Sequence, residues 1–179
     1  MMDHEKSWKV IKSEDGPDLK LFKARFDYMQ NLQNGLTERM IILEGADSTN
    51  IIPVLPDGRF LLVRQYRFGT RSTTLELPGG IVDPGEASLR AAKRELREET
   101  GYTSTRWTYL GKVPSNPVFM DSYIHHWLAE DVALTAATDM DDGEFTEPLL
   151  VSPADIKRYL KAGKLEHPHT ISALTRYLL

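Results

Sequence analysis

One stretch of the chain limits the possible folds more than any other. It runs Gly80-Ile-Val-Asp-Pro-Gly-Glu-Ala-Ser-Leu-Arg-Ala-Ala-Lys-Arg-Glu-Leu-Arg-Glu-Glu-Thr-Gly-Tyr102, with Leu77-Pro78-Gly79 just before it. The Gly/Pro cluster through Gly85 punctuates the backbone as a turn. From Ala87 onward good helix formers dominate, and Gly101 stands where a left-handed C-terminal cap is expected. Leu89, Ala92 and Leu96 recur at helical spacing, so the helix carries an apolar stripe that should pack on a sheet.

The other side of this helix is the chemically informative one. Glu95, Glu98 and Glu99 fall within one ~100° arc. They repel one another, and they lie near the helix C-terminus, where the helix dipole disfavours anions. Arg94 and Arg97 can compensate part of that charge, and a divalent cation would compensate the rest. All-oxygen ligands favour Mg²⁺ or Mn²⁺ over zinc. A Glu/Arg run is more often only a solvated helix face, so Arg94 to Glu99 taken alone leave both readings open.

Composition closes off several classes. A chain of 179 residues, 41% hydrophobic and 27% charged, has the makings of one domain with a real core. The net charge of −4 offers no general nucleic-acid patch. With no cysteine there is no disulfide framework, thiolate catalysis or zinc–thiolate site. No stretch is apolar enough to span a bilayer, and Met1 to Asp15 is charged rather than signal-like, so a cytoplasmic home is the expectation.

Read in order, Ser7 to Ser13 alternates as a short strand, and Asp15-Gly16-Pro17-Asp18 reads as a turn. Leu19 to Met29 is strand-like, Asn34-Gly35 signals a hairpin, and Leu36 to Glu44 pairs back. Residues 1–46 thus form a small antiparallel sheet ahead of a domain spanning 47–179. Such a sheet is too small to stand alone and must lean on this domain or on a second subunit. Ile51 to Leu55, Phe60 to Arg67, Thr73 to Pro78, Trp107 to Val113, Ser122 to Ala129 and Leu149 to Ser152 read as further strands. Pro153 to Ala162 and Thr170 to Leu179 read as amphipathic helices, with Gly163 ending the first. Ala136 to Phe145 is an acidic loop. His125 and His126 are adjacent in a strand, so they face opposite ways and are expected to pack structurally.

Gly80, Glu86, Arg94, Glu95, Leu96, Glu98, Glu99, Gly101 and Tyr102 stand at the spacing G-x5-E-x7-R-E-U-x-E-E-x-G-U, where U is apolar. This pattern resembles the Nudix box without a departure. At roughly 7% per specified residue, chance matches at one start point are on the order of one in 10⁸, which decides against the solvated face. The chain therefore resembles the Nudix hydrolases, and the ADP-ribose and nucleoside-diphosphate-sugar pyrophosphatases among them.

The resemblance implies an α/β fold, an α/β/α sandwich of mixed sheet with flanking helices. It implies Mg²⁺-dependent cleavage of a nucleoside diphosphate linked to another group, with Mn²⁺ able to substitute. Glu95, Glu98, Glu99 and the Gly79 carbonyl match metal ligands, with Glu98 also a candidate partner of metal water. Gly80, Glu86, Arg94 and Gly101 match the structural positions of the box. The Val63-Arg64-Gln65-Tyr66-Arg67 run resembles the sugar-nucleotide branch. Arg67 is the candidate diphosphate clamp, because a guanidinium grips phosphate oxygens in two-pronged fashion. Arg64 reads equally well as a surface charge. Glu76 matches a residue that orients substrate or metal water, and Pro117 matches a proline beyond the box. Asn116-Pro117-Val118 departs from the usual Ser-Pro-Gly there, which leaves the sugar preference open. Glu144 matches a loop glutamate that ligates metal or takes a proton, and the neighbouring Asp142 could fill that role. The N-terminal layer resembles an arm that crosses to a partner subunit, so a homodimer is expected. Tyr28 and Phe26 are candidates for stacking on a base, with plain packing the competing reading. A nucleotide sugar is the expected partner, not nucleic acid or membrane. The alternatives are a Nudix hydrolase of another diphosphate (a triphosphate, a dinucleoside polyphosphate or a capped RNA) and a non-catalytic nucleotide-sensing module.

Overall fold

The computed structural model describes residues 7–139 and 145–179. The chain forms two compact units. One is the chain up to Ala46 together with Pro114–Tyr123; the other is Asp47–Val113 with Ile124–Leu179.

The first unit is built on β1 (Trp8–Asp18), β2 (Lys23–Asn31) and β3 (Thr37–Glu44), antiparallel in that order. Gly35, at φ 74°, makes the β2–β3 reversal, as Asn34-Gly35 suggested. The other reversal is not where the sequence put it. β1 runs straight through Asp15 to Asp18, and the chain turns at Leu19 to Phe22, where Leu19 N–H donates to Phe22 O at 2.8 Å. The Gly-Pro pair is absorbed by a register shift between Asp15 and Asp18. Pro costs a ladder no hydrogen bond at such an irregularity. A Cβ on Gly16 would come 2.9 Å from Ala24 Cβ and 3.0 Å from the Phe26 ring, so this glycine serves close strand approach. Inside the unit Arg25 pairs with Asp27 at 3.0 Å and with Glu44. Pro114–Tyr123 joins through Leu43 N–H, which donates to Phe119 O at 2.7 Å.

The second unit contains β4 (Ser48–Val54), β5 (Phe60–Arg67), β6 (Ser72–Glu76), α1 (Ser88–Thr100), the two-residue β7 (Tyr102–Thr103), β8 (Arg106–Pro114), β9 (Tyr123–Glu130), the two-residue β10 (Ala133–Leu134), β11 (Thr146–Val151), α2 (Pro153–Lys161) and α3 (Pro168–Leu178). Its main sheet has the order β11-β5-β4-β9-β8, with β6 also pairing β5, while β7 and β10 pair with each other. β4 and β9 are parallel and the β5 pairings are antiparallel, so the sheet is mixed.

Alternation along the central strands fills two cores. Ile52, Leu62 and Leu128 pack with Ile156 of α2 and Ala173 and Leu174 of α3. Their neighbours Ile51, Leu61 and Ala129 point to the other face, against Ala92 and Leu96 of α1. A sheet covered on both faces explains runs such as Phe60-Leu-Leu-Val63, which are apolar throughout rather than alternating. Each buried leucine or isoleucine contributes about 1.5–3 kcal/mol. α3 begins at Pro168, two residues earlier than the amphipathic pattern suggested, with proline in the first turn. Among the described residues no helix is long and apolar enough to cross a membrane.

Candidate active site

The loop between β6 and α1 is laid along β4. Ile51 N–H donates to Pro78 O at 2.9 Å, Thr49 N–H donates to Gly80 O at 2.8 Å, and Ile81 bridges Ser48. Successive peptide groups in an extended segment face opposite ways. Gly79 therefore turns its backbone away from β4, and its N–H donates to Glu99 Oε2 at 2.9 Å. Gly79 does not tolerate a side chain, and Gly80 accepts one only if Glu95 moves. A Cβ on Gly79 would overlap Thr49 O, and one on Gly80 would overlap the Glu95 carboxylate. The bare Gly79 thus lets the loop lie against β4, and the bare Gly80 leaves room for the Glu95 carboxylate.

α1 ends as its sequence indicates. Gly101 takes φ 74° and its N–H donates to Arg97 O at 2.8 Å. Along the helix Arg94 is the hub. Its Nη1 donates to Glu95 Oε1 at 2.7 Å and Glu98 Oε2 at 3.2 Å, and its Nη2 to Ile81 O at 2.9 Å and Glu86 Oε2 at 3.2 Å. One guanidinium therefore ties loop to helix. Burial works to lower the Arg94 pKa, but Glu86, Glu95 and Glu98 outweigh it and hold it above the usual arginine value. Burial likewise works to raise Glu86, yet Arg94 and the Asp83 N–H hold it below the usual carboxylate value.

The charge count is lopsided. Asp83, Glu86, Glu95 and Glu98 stand against Arg90, Arg94 and Arg97, before the buried Glu99 is added. Among the described residues no three histidine or acidic side chains are placed to hold a metal ion directly; Glu86, Glu95 and Glu98 gather round Arg94 instead. The donor set is nonetheless all oxygen and over-supplied with negative charge. That chemistry fits a hard divalent cation.

A second cluster stands at the ends of β5 and β6. Arg67 grips both oxygens of Glu76, Nε to Oε1 at 2.8 Å and Nη2 to Oε2 at 2.6 Å. Thr74 Oγ1 also donates to Oε1, and His167 Nδ1 lies 3.4 Å from Oε2. Glu76 is 1% exposed, and burial alone would raise its pKa; Arg67 and Thr74 keep it below the ordinary value. Burial pushes His167 down to about 4, more than Glu76 lifts it, since Arg67 already neutralises that carboxylate. At neutral pH the imidazole is therefore uncharged. The sequence reading missed His167 and Thr74. A hydroxyl two residues before Glu76 on the same strand face was the available signal for Thr74; nothing local pointed to His167.

The structure brings Gly79, Gly80, Glu86, Arg94, Glu95, Glu98 and Glu99 together, and Arg67 with Glu76. Tyr28 and Pro117 belong to the other unit, where the Tyr28 hydroxyl donates to Glu14 at 3.0 Å and Lys12 lies over its ring. Arg64 makes an exposed pair with Glu147 at 3.3 Å, the surface role left open for it. His125 and His126 do face opposite ways, the first between Asp47 and Tyr109, the second onto Ser172 of α3. Glu144 and Asp142 lie outside the described residues. The chain on either side is anchored at the end of α1, Asp139 N–H donating to Glu98 O at 2.9 Å and Thr146 Oγ1 to Glu99 O at 3.0 Å.

A carboxylate helix locked to a glycine loop on a mixed sheet defines a class, and comparison with known proteins agrees. The sequence model of the NUDIX domain matches residues 46–174. This chain belongs to the Nudix hydrolase family. It is 29% identical over 144 residues to an ADP-ribose pyrophosphatase of Bacillus subtilis (strain 168), covering 80% of this chain and 78% of that one. It is 27% identical over 167 residues to a methanol dehydrogenase activator of Bacillus methanolicus, covering 93% and 90%. The crystal structure of an ADP compounds hydrolase superposes with a TM-score of 0.83 at 24% identity, over 96% of this chain and 92% of that one, a likeness of fold.

Proposed function

We propose that this chain hydrolyses the pyrophosphate bond of ADP-ribose and related nucleoside diphosphate sugars, GDP-mannose among them. Mg²⁺ is the proposed cofactor, with Mn²⁺ able to substitute. The observation that carries the reading is the placement of Glu95, Glu98 and Glu99 on one helix, locked against a glycine loop. The similarity to an ADP-ribose pyrophosphatase supports the substrate class.

Glu95, Glu98, Glu99 and the Gly79 carbonyl would hold the cation, which supplies charge neutralisation and a more acidic water. Arg94 keeps the carboxylates from splaying apart, and Glu86 keeps Arg94 in place. Glu76 sets the plane of the Arg67 guanidinium, which substrate phosphate would share. Water attacks one phosphorus, the bridging oxygen leaves with the other phosphate, and Glu144 or Glu98 takes the proton. The products are a nucleoside monophosphate and a sugar phosphate. Tyr28 and Pro117 are proposed to contact substrate by resemblance alone. A cytoplasmic homodimer belongs to the same reading. Exposed Ile11, Leu21, Leu32 and Leu36 on the first unit leave apolar surface to be covered.

Phosphorus NMR tests this, with ADP-ribose, GDP-mannose, diadenosine polyphosphates and nucleoside triphosphates in ¹⁸O-water with Mg²⁺. Diphosphate sugars should lead, and ¹⁸O marks the attacked phosphorus. Faster turnover of triphosphates or dinucleotides would move the chain to another Nudix branch. Binding without turnover would favour a sensing module. The name of the Bacillus methanolicus relative favours a second reading, in which the chain acts on a partner enzyme. Stimulation of a dehydrogenase without any diphosphate cleavage would support it.

A further inference from the structure

We propose that Thr170 of α3 and Asn50 of β4 are positioning residues for this hydrolase, clamping Leu77 through the peptide groups on either side of it and so setting where Gly79 meets Glu99. The inference rests on the hydrolytic reading above.

Regular pairing stops on either side of Leu77. β6 ends at Glu76, opposite Val63, and hydrogen bonding to β4 resumes at Pro78 O. Pro78 has no N–H to contribute. Leu77 is held by side chains on both sides instead. Its N–H donates to Thr170 Oγ1 at 3.0 Å, and its carbonyl accepts from Asn50 Nδ2 at 3.3 Å. Leu77, Thr170 and Asn50 are 2%, 0% and 5% exposed, so bulk water does not replace either bond. Thr49 and Ile51, which flank Asn50, are the residues that donate to Gly80 and Pro78. Three consecutive β4 residues therefore hold the loop, two by backbone and one by side chain.

Gly79 N–H, bound to Glu99, lies only two residues beyond the clamp, roughly 7 Å along an extended chain. Any shift of Leu77 passes directly to Gly79. Asn50 holds its place although its Oδ1 has no hydrogen-bond partner among the described residues. A buried acceptor left unsatisfied is costly, and the bond its amide N–H makes to Leu77 O offsets part of that cost. α3 otherwise packs through Ala173 and Leu174, Tyr177 against Phe60, and polar contacts of Ser172 and Arg176. Thr170 is the point at which that helix reaches the catalytic loop, on the face of the sheet opposite α1.

The test replaces Thr170 by Val, which keeps the shape and removes the hydroxyl, with Thr170→Ser as the rescue. Three readouts are taken on the full chain: Mn²⁺ binding by calorimetry without substrate, amide exchange at Gly79, and steady-state hydrolysis of ADP-ribose. Thr170→Val should weaken Mn²⁺ binding several-fold, speed Gly79 exchange and lower kcat roughly tenfold with KM within twofold. Thr170→Ser should restore all three. Asn50→Leu acts on the other side of the same residue and gives the same test if Thr170→Val fails to fold. Wild-type Mn²⁺ affinity, Gly79 exchange and kcat in a folded but less stable Thr170→Val protein would reduce Thr170 to a core residue and overturn the proposal. Failure of the wild type itself to bind Mn²⁺ or cleave any diphosphate would instead bring down the hydrolytic reading, and this inference with it.

Discussion

Helices α1 and α3 cover opposite faces of one sheet and handle polar groups in opposite ways. α1 gathers charge. Arg94 stands among Glu86, Glu95 and Glu98, and Glu99 is buried against the loop. α3 buries small groups of neutral polar side chains: Thr170 on the Leu77 amide and 3.5 Å from His167, which stands beside Glu76 just before the helix, and Ser172 on His126. Concentrated like charge is costly unless something outside the helix compensates it, whereas single satisfied hydrogen bonds are cheap and hold backbone in place. On the proposed reading, the α1 glutamates would hold the cation and the polar groups of α3 would position the loop.

The largest effect should come from α1. Glu99→Gln keeps an acceptor for the Gly79 N–H but removes a charge. kcat should fall on the order of 10³-fold, about 4 kcal/mol, with a nearly unchanged melting temperature. A loss of stability with turnover intact would mean that α1 is a structural charge network like any other.

Arg94→Met should cost about 3 kcal/mol in urea unfolding, because three carboxylates lose their common partner. Arg94→Lys should rescue little of it. The two Nη groups reach different partners, Glu95 and Glu98 on one side and Ile81 O and Glu86 on the other, and one ammonium does not span both.

On the α3 face the expected signature is acid sensitivity rather than charge loss. Burial pushes His126 down to about 4, helped by Arg176, His169 and His125. Ser172 Oγ donates to His169 O, so it accepts from His126 Nε2–H, and Nδ1 has no partner among the described residues. The folded pKa lies below the ordinary 6.5, so the unfolded chain takes up the proton first. Stability should be full above pH 6.5, fall as pH drops toward 4, and level off below that, by up to about 3 kcal/mol. Urea unfolding of wild type and His126→Gln at several pH values checks this; the variant should lose that part of the slope.

The smallest effect belongs between the two faces. Arg67→Lys leaves a cation near Glu76 but loses the two-pronged grip. KM for ADP-ribose should rise roughly tenfold with kcat within about threefold. A fall in kcat alone would move Arg67 from substrate binding to support of the reacting groups.

The α1 site was legible because its spacing records a physical conflict. Glutamates at helical spacing, a bounding Gly101 and a loop of glycines needing bare backbone all sit in one continuous segment. The sandwich followed from the resemblance that this segment carries, with strands and flanking helices read around it. Contacts between distant segments were not legible. Nothing near Thr170 announces that its hydroxyl takes the N–H of Leu77, and nothing near His167 announces Glu76. Gly16-Pro17 misled because the same residues that make turns also fit a strand irregularity where a neighbour comes close.

The central claim is that the α1 carboxylates hold a divalent cation against the Gly79–Gly80 loop. Calorimetric titration of metal-stripped protein with Mn²⁺, comparing wild type with Glu95→Gln/Glu99→Gln, tests it without reference to any substrate. The wild type should bind saturably and the variant at least tenfold more weakly, with cooperative unfolding preserved. Equal affinity in the two folded proteins would contradict it.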